Sequence, residues 1–343
     1  MSITPNKKVY IFVREQLYNC YGVRVIVNQI KKTIKESEII FSLKNVPDGS
    51  IVIPYGVLES MELIKYRRLP LYTSLLVDAF SLGEISDFKR FITKRYIPLK
   101  FSLLCLPRFL KHLYYEFLIF RKFKKVILVS YYDKTYYQKL HFDDLAKSKI
   151  VIVPNGIVLP SNREGYQRSQ DKIFRVGCLS LWSGVEVFYT LKYFINEIWS
   201  KLPMPDVKLI IAGRCISEEM RLYLSKYNNI VILGEVEKLE DFYDNIDASL
   251  ITMFKKCGII NRVLDGFSYK VPVISRSESM LAFKDLPDCY YGYKDVESFR
   301  QAVERIKNNR EEARLKVEQA YSYVRDFHNW DKNYINIENL FAK

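Results

Sequence analysis

The stretch Lys255 to Ser275, KKCGIINRVLDGFSYKVPVIS, decides how the rest of the chain is read. A glycine-containing turn opens a short amphipathic helix, which runs straight into a buried strand. Gly258 lets the backbone approach a ligand closely. The N–H groups of Ile259, Ile260 and Asn261 at the helix start turn the positive end of the helix dipole toward an anion. Arg262 and Asp265 lie three apart and share one helical face. That face offers a guanidinium for phosphate oxygens and a carboxylate for sugar hydroxyls. Val263, Leu264, Phe267 and the VPVI run supply the apolar side that a βαβ layer buries. Taken alone, the same spacing also fits an ordinary surface helix with a solvated Arg–Asp pair.

Context decides between them, because the stretch resembles the donor-binding segment of the retaining GT-B glycosyltransferases, the large family 4 of nucleotide-sugar transferases. There a glycine turn, a basic residue and an acidic residue on the helix precede a Gly-x-Pro-Val strand; Gly258, Arg262, Asp265 and Pro272-Val273 stand in those places. The resemblance implies a helix N-terminus and a basic residue at the donor pyrophosphate and a carboxylate on the ribose. It also marks departures. The family's usual Glu, seven residues, Glu is here Cys257 and Asp265, and a thiol does not accept hydrogen bonds as a carboxylate does. Where the family places an Arg and a Lys on the pyrophosphate, this chain has Cys178 and Ser183. Neutralisation then falls on Arg262 and the helix dipole, with Lys255, Lys256, Arg175 and Arg214 as further candidates.

A length of 343 residues fits two domains. With 49% hydrophobic and 27% charged residues the composition is that of a globular protein. No apolar run is long enough for a bilayer span, and MSITPNKKVYIF has no signal-peptide core before its first strand. The six cysteines are scattered without C-x-x-C spacing, which suggests neither a zinc site nor a disulfide framework. The net charge of +14 is uneven: residues 1–155 hold 26 Lys and Arg against 13 Asp and Glu, and residues 156–343 hold 27 against 26. Such asymmetry points the first half at a polyanion.

Residues 88–125 sharpen that expectation. They hold eleven Lys or Arg and one acidic residue, Glu116, among aromatic and aliphatic side chains. Pro98 and Pro107 are expected to divide the stretch into short helices. Basic side chains can stay at lipid headgroups while their stems and neighbouring rings sit below, so an anionic membrane surface is the expected partner. A pair of core helices with solvated basic faces is the plainer alternative. Nucleic acid is disfavoured, since no recognised reader motif is present.

Along the chain, KVYIFVR from Lys8 reads as a buried parallel strand, followed by a loop with Gly22 and a helix from Val23 to Ile34. The resemblance puts Gly22 and Arg24 at the cleft. Ser74 to Val77 reads as a strand with Asp78 at its carboxyl end, where open α/β sheets bind ligands. Asp78 is therefore a candidate acceptor-binding group or proton acceptor, and equally a helix cap or turn aspartate. IVIVPNGI from Ile150 resembles the family's close of the first domain. Further landmarks in order are FRVGCL with Gly177, VKLIIAGR with Gly213 and Arg214, and NNIVILGEVEK, where Gly234 to Lys238, Val236 included, would hold the base. FHNWDKNYINIENL resembles the terminal corner and final helix that return to the first domain.

The expectation is an α/β protein of GT-B class, two Rossmann-like doubly wound domains facing a central cleft. Residues 1–155 would bind the acceptor and touch the membrane, 156–172 link, 173–325 bind the nucleotide sugar, and 326–343 cross back. The expected activity is transfer of a hexose from a nucleotide diphosphate sugar to a lipid-linked or polysaccharide acceptor. Retention of configuration is implied by the resemblance. No D-x-D triplet occurs, so no cofactor and no metal are expected. Arg262, Asp265 and Asp78 are the catalytic candidates. The donor candidates are Gly177, Gly213, Arg214, Gly234, Val236, Lys255, Lys256, Cys257, Gly258, Ile259, Ile260 and Asn261. The protein is expected to be cytoplasmic, peripheral on the inner face of the membrane. The missing carboxylate and cations favour one rival, a catalytically impaired homologue that serves another transferase as a binding partner.

Overall fold

A computed structural model describes residues 8–34, 36–94, 99–141, 150–161 and 172–330. Every strand pairing in it is parallel. Parallel strands need crossovers, and the helices between them bury both faces of each sheet, which is why the strands read as unbroken apolar runs.

In the first domain, β1 (Val9–Phe12), β2 (Ser37–Ile40) and β3 (Ile51–Pro54) pair in the order β2-β1-β3. The strands β4 (Thr73–Val77), β5 (Lys125–Leu128) and β6 (Ile150–Ile152) pair in sequence order. A parallel bridge between Tyr55 and Leu75 continues one sheet into the other. In the second domain, β7 (Phe174–Leu179), β8 (Val207–Ala212), β9 (Ile230–Gly234), β10 (Ala248–Ile251), β11 (Val273–Ser275) and β12 (Tyr291–Gly292) pair as β12-β11-β10-β7-β8-β9. That order reverses between β7 and β10. The crevice beyond the carboxyl ends of these two strands is where a doubly wound sheet binds its ligand.

The second-domain core packs Phe194, Trp199 and Phe299 from its helices against Val176, Leu209 and Leu250 of its strands. Each such side chain contributes about 1.5–3 kcal/mol by leaving water. The helix Asn261–Ser268 buries Val263, Leu264 and Phe267 against β11 and against Ala320, Tyr323 and Val324 of the helix Arg310–Phe327. A Cβ on Gly266 would come within 2.7 Å of Val273, so glycine lets this helix lie close on its strand. The helix stops at Lys270, which adopts φ 53 while the N–H of Val271 donates to Gly266 O. A left-handed turn here would suit glycine without strain; a lysine costs about 1–2 kcal/mol. Lys270 Nζ meets Glu318 at 3.2 Å, which offsets part of this.

One expectation from the sequence fails. Pro107 lies inside a single helix, Leu99–Lys122, and does not divide it. Proline frees the carbonyl four residues before it, here that of Leu103. Leu103 is 63% exposed, so water can take that carbonyl. Pro98 lies outside the described residues, as do residues 162–171 of the expected linker and 331–343 of the expected final helix. The return to the first domain has begun by then. Ile157 bridges Asn329, and Trp330 is buried among Val9, Ile11, Ile26 and Ile127.

Candidate active site

A cleft of about 910 Å³ lies between the domains. One wall is the first-domain helix Tyr21–Thr33, which contributes Gly22, Val25, Asn28, Gln29 and Lys32. The other is built from Ser180, Leu181, Ser183 and Gly184 after β7, Met253 and Lys255 after β10, and Ile259 to Arg262, Leu264, Asp265 and Tyr269. Leu239 and Glu240 and residues 156–161 complete the lining. These are the carboxyl ends of β7 and β10, where the strand order places a ligand.

Two helices start at this cleft. Gly184 precedes Val185–Glu197, Ile260 precedes Asn261–Ser268, and neither first turn is capped by a side chain. Uncapped helix starts leave N–H donors and the positive dipole end for an anion. Arg262 stands beside them, 28% exposed, with Nη1 donating to Asp265 Oδ2 at 2.6 Å. Burial pushes the Asp265 carboxyl up, against the pull of Arg262.

Lys255 is bound from across the domain boundary. Its Nζ donates to Asp78 Oδ2 at 2.6 Å. Burial alone would lower the Lys255 ammonium, but the charge and hydrogen bond of Asp78 outweigh it and hold the lysine above its ordinary value. Asp78 follows β4 as the sequence suggests, yet among the described residues it is not part of the cleft lining. It packs on Gly258, where an added Cβ would lie 2.0 Å from Asp78 Oδ1. The N–H of Gly258 donates to both carboxylate oxygens of Asp133, at 3.2 and 3.0 Å.

Cys257 is 5% exposed and packs among first-domain residues including Leu82, Phe120 and Tyr137. The position that the resemblance gives to a sugar-binding carboxylate is therefore turned away from the cleft. Cys178 lies buried in the second-domain core. Ser183 does line the cleft.

Other expected residues are placed differently. A Cβ on Gly177 would strike Phe242 and Ile246 at 2.6 Å, so this glycine serves packing beneath the sheet and not the donor. Gly213 has φ 124, and its Cβ would fall 1.8 Å from Ser180 O; it lets two loops meet. Arg214 Nε pairs with Glu235 at 2.7 Å in solvent. Among the described residues Arg24, Arg214, Gly234, Val236 and Lys256 are not in the lining of the cleft. Gly22 is, and the room its missing side chain leaves is filled by Asn261, whose Nδ2 would be 3.2 Å from a Cβ. Asn155 Nδ2 donates to Asn261 Oδ1 at 3.1 Å, tying the Pro-Asn-Gly turn to the same helix start.

Sequence reasoning missed Gln29, Lys32, Glu240 and Tyr269. The first two were readable only as a helix face at i and i+3. The last two come together through the fold alone.

The family described as glycosyl transferases group 1 matches residues 171–309. No curated protein sequence matches the chain. Among solved structures, sucrose-phosphate synthase from Thermosynechococcus elongatus is similar over 98% of both chains at 13% identity, with a TM-score of 0.68. HepE from Anabaena, solved with UDP and glucose, is 12% identical over 98% of this chain and 100% of its own, with a TM-score of 0.61. TarM from S. aureus is 12% identical over 88% of this chain and 57% of its own, with a TM-score of 0.59. The fold is thus GT-B over nearly the whole chain, and residues 171–309, most of the second domain, are similar to the group 1 glycosyltransferases.

Proposed function

We propose that the protein transfers a hexose from a nucleoside diphosphate sugar to a lipid-linked or polysaccharide acceptor, with retention of configuration. One observation carries the reading: two uncapped helix starts, Arg262 and Lys255 border a single cleft between the domains. The donor diphosphate lies there. Arg262 and Lys255 replace the cations missing at Cys178 and Ser183, and Asp265 meets the ribose. Charge grows on the diphosphate as the sugar leaves, so donors fixed in advance at that point are the main catalytic contribution. Asp78 is assigned to holding Lys255 in place and not to taking a proton, since it is engaged with Lys255 and Gly258. The acceptor would enter along the first-domain wall, past Gln29 and Lys32.

Anionic lipid is the proposed surface partner. The helix Leu99–Lys122 exposes Leu103, Leu106, Leu110 and Tyr114 with Lys111 beside them, while Arg108 is paired with Glu84 at 2.7 Å. Among the described residues no helix is long and apolar enough to cross a membrane, so contact would be peripheral.

The placement of Cys257 favours a second reading, a catalytically impaired homologue that supports another transferase. Release of nucleoside diphosphate separates the two. Arg262→Ala is expected to lower it by about a hundredfold or more, as loss of a charge-stabilising donor does. Undiminished turnover in Arg262→Ala would remove the role given to that residue, and no turnover in the wild type with any donor would favour the impaired homologue.

A further inference from the structure

The helix that carries Arg262 also forms a ruler. Arg262 and Asp265 on the helix and Tyr269, its C-cap, all line the cleft, and spacings of three and four residues keep them on one side. At about 1.5 Å per residue they are stepped along the wall by roughly 4.5 and 6 Å. A nucleoside diphosphate presents phosphate charge, sugar hydroxyls and base in that same order. The base end of the ruler is thus Tyr269.

What stands at that end is chemically particular. The Tyr269 ring stacks on Tyr243 with centroids 4.7 Å apart and planes 12° from parallel. Leu239 adds apolar surface next to it. The Tyr269 hydroxyl donates to Glu240 Oε1 at 3.0 Å, and Glu240 is exposed and lines the cleft. Tyr269 is 7% exposed and Tyr243 is buried, so the pair forms a fixed apolar floor from which the Glu240 carboxylate projects toward a ring that has donors on its rim.

Resting on the donor reading above, we infer that Glu240, positioned by Tyr269, reads the Watson–Crick edge of the donor base and selects guanine. A carboxylate is an acceptor with two oxygens and can take two parallel hydrogen bonds. Guanine presents two adjacent donors, the ring N1–H and the N2 amino group. Uracil presents one imide N–H between two carbonyl oxygens that would face the carboxylate. Adenine and cytosine present an amino group next to a ring nitrogen that accepts. Only guanine offers a pair of donors without an acceptor between them. A site built around such a pair rejects bases that leave it unpaired.

The test is calorimetry of the full chain with GDP, UDP, CDP and ADP. GDP is expected to bind at least tenfold tighter than the other three. Glu240→Gln, which offers one acceptor and one donor, should bring GDP to the level of UDP. Tyr269→Phe should narrow the preference part of the way. Arg262→Ala should weaken all four diphosphates together and keep their ranking. Equal affinities in the wild type, or a ranking unchanged by Glu240→Gln, would overturn the assignment of the base and leave the donor reading standing. Failure of every nucleoside diphosphate to bind would overturn both.

Discussion

Asp133 caps the exchange between the domains, with both carboxylate oxygens accepting the Gly258 N–H. Burial first, and then the charge of Asp78, push its carboxyl up to about 7, although Gly258, Lys255 and Ser130 pull it down. Glu116 is fully buried and accepts from the backbone N–H of Ser81 at 3.0 Å and from its hydroxyl. Burial raises it also to about 7, against those hydrogen bonds. Both groups hold their proton more tightly folded than unfolded. The stability these two groups contribute is therefore fully present below about pH 4, is lost as the pH rises from there to about 7, and levels off above, while His328, lowered by burial to about 4, works in the opposite sense up to about pH 6.5. Thermal unfolding between pH 5 and 8 should show the melting temperature dropping with pH. Glu116→Gln should flatten part of that slope, with a contribution on the order of 3 kcal/mol. A wild-type profile that rises over this range would contradict the sign.

At the scale of the element, the helix Leu99–Lys122 has two faces with different tasks. Cys105, Glu116, Ile119 and Phe120 turn inward and are buried. Leu103, Leu106, Leu110 and Tyr114, spaced by three, four and four, form an exposed apolar stripe on the opposite side. Exposed apolar stripes of this kind mark contact surfaces, and the exposed Lys111 beside it suits anionic headgroups. Replacing Leu106 and Leu110 together by Glu should abolish sedimentation with anionic liposomes. The melting temperature should stay within about 2 °C, because solvent-facing substitutions seldom exceed roughly 0.5 kcal/mol. Unchanged liposome binding would exclude the stripe as the contact. The basic, aromatic character of this segment was legible in sequence. Its stripe was not, because apolar residues occur all round the helix and only packing shows which of them the first domain covers.

At the scale of the molecule, the two domains are joined through the donor loop. Lys255 meets Asp78, Gly258 meets Asp133, Phe254 lies under the Arg90 guanidinium at 5.6 Å, and Cys257 enters the first-domain core. A Cβ on Gly83 would be 3.2 Å from the Cys257 sulfur, so the thiol packs closely on this glycine within the first-domain core. Cys257→Glu, the residue the resemblance would put here, should therefore not restore a sugar contact. It should lower stability by roughly 3 kcal/mol or more, since a carboxylate would be buried among apolar groups. Cys257→Ala should cost clearly less. Chemical unfolding of the two variants checks this, and a Glu variant as stable as the wild type would show that the loop can leave the first domain at little cost.

The sequence by itself determined the two parallel sheets, since unbroken apolar runs alternating with amphipathic helices have few other ways to bury both faces. It also determined the donor helix, because Gly258, Arg262, Asp265 and the following strand are local in the chain and their spacing sets the face they share. It marked Asp78 as a strand-end residue, but a strand end says nothing about what will be opposite. Only the tertiary structure decided that Asp78 holds Lys255, that Cys257 faces away from the cleft, that Gly177 is a packing residue, and that Glu240 meets Tyr269. Each of these joins residues far apart in the chain, and such meetings follow from how sheets and domains pack, which local periodicity does not encode.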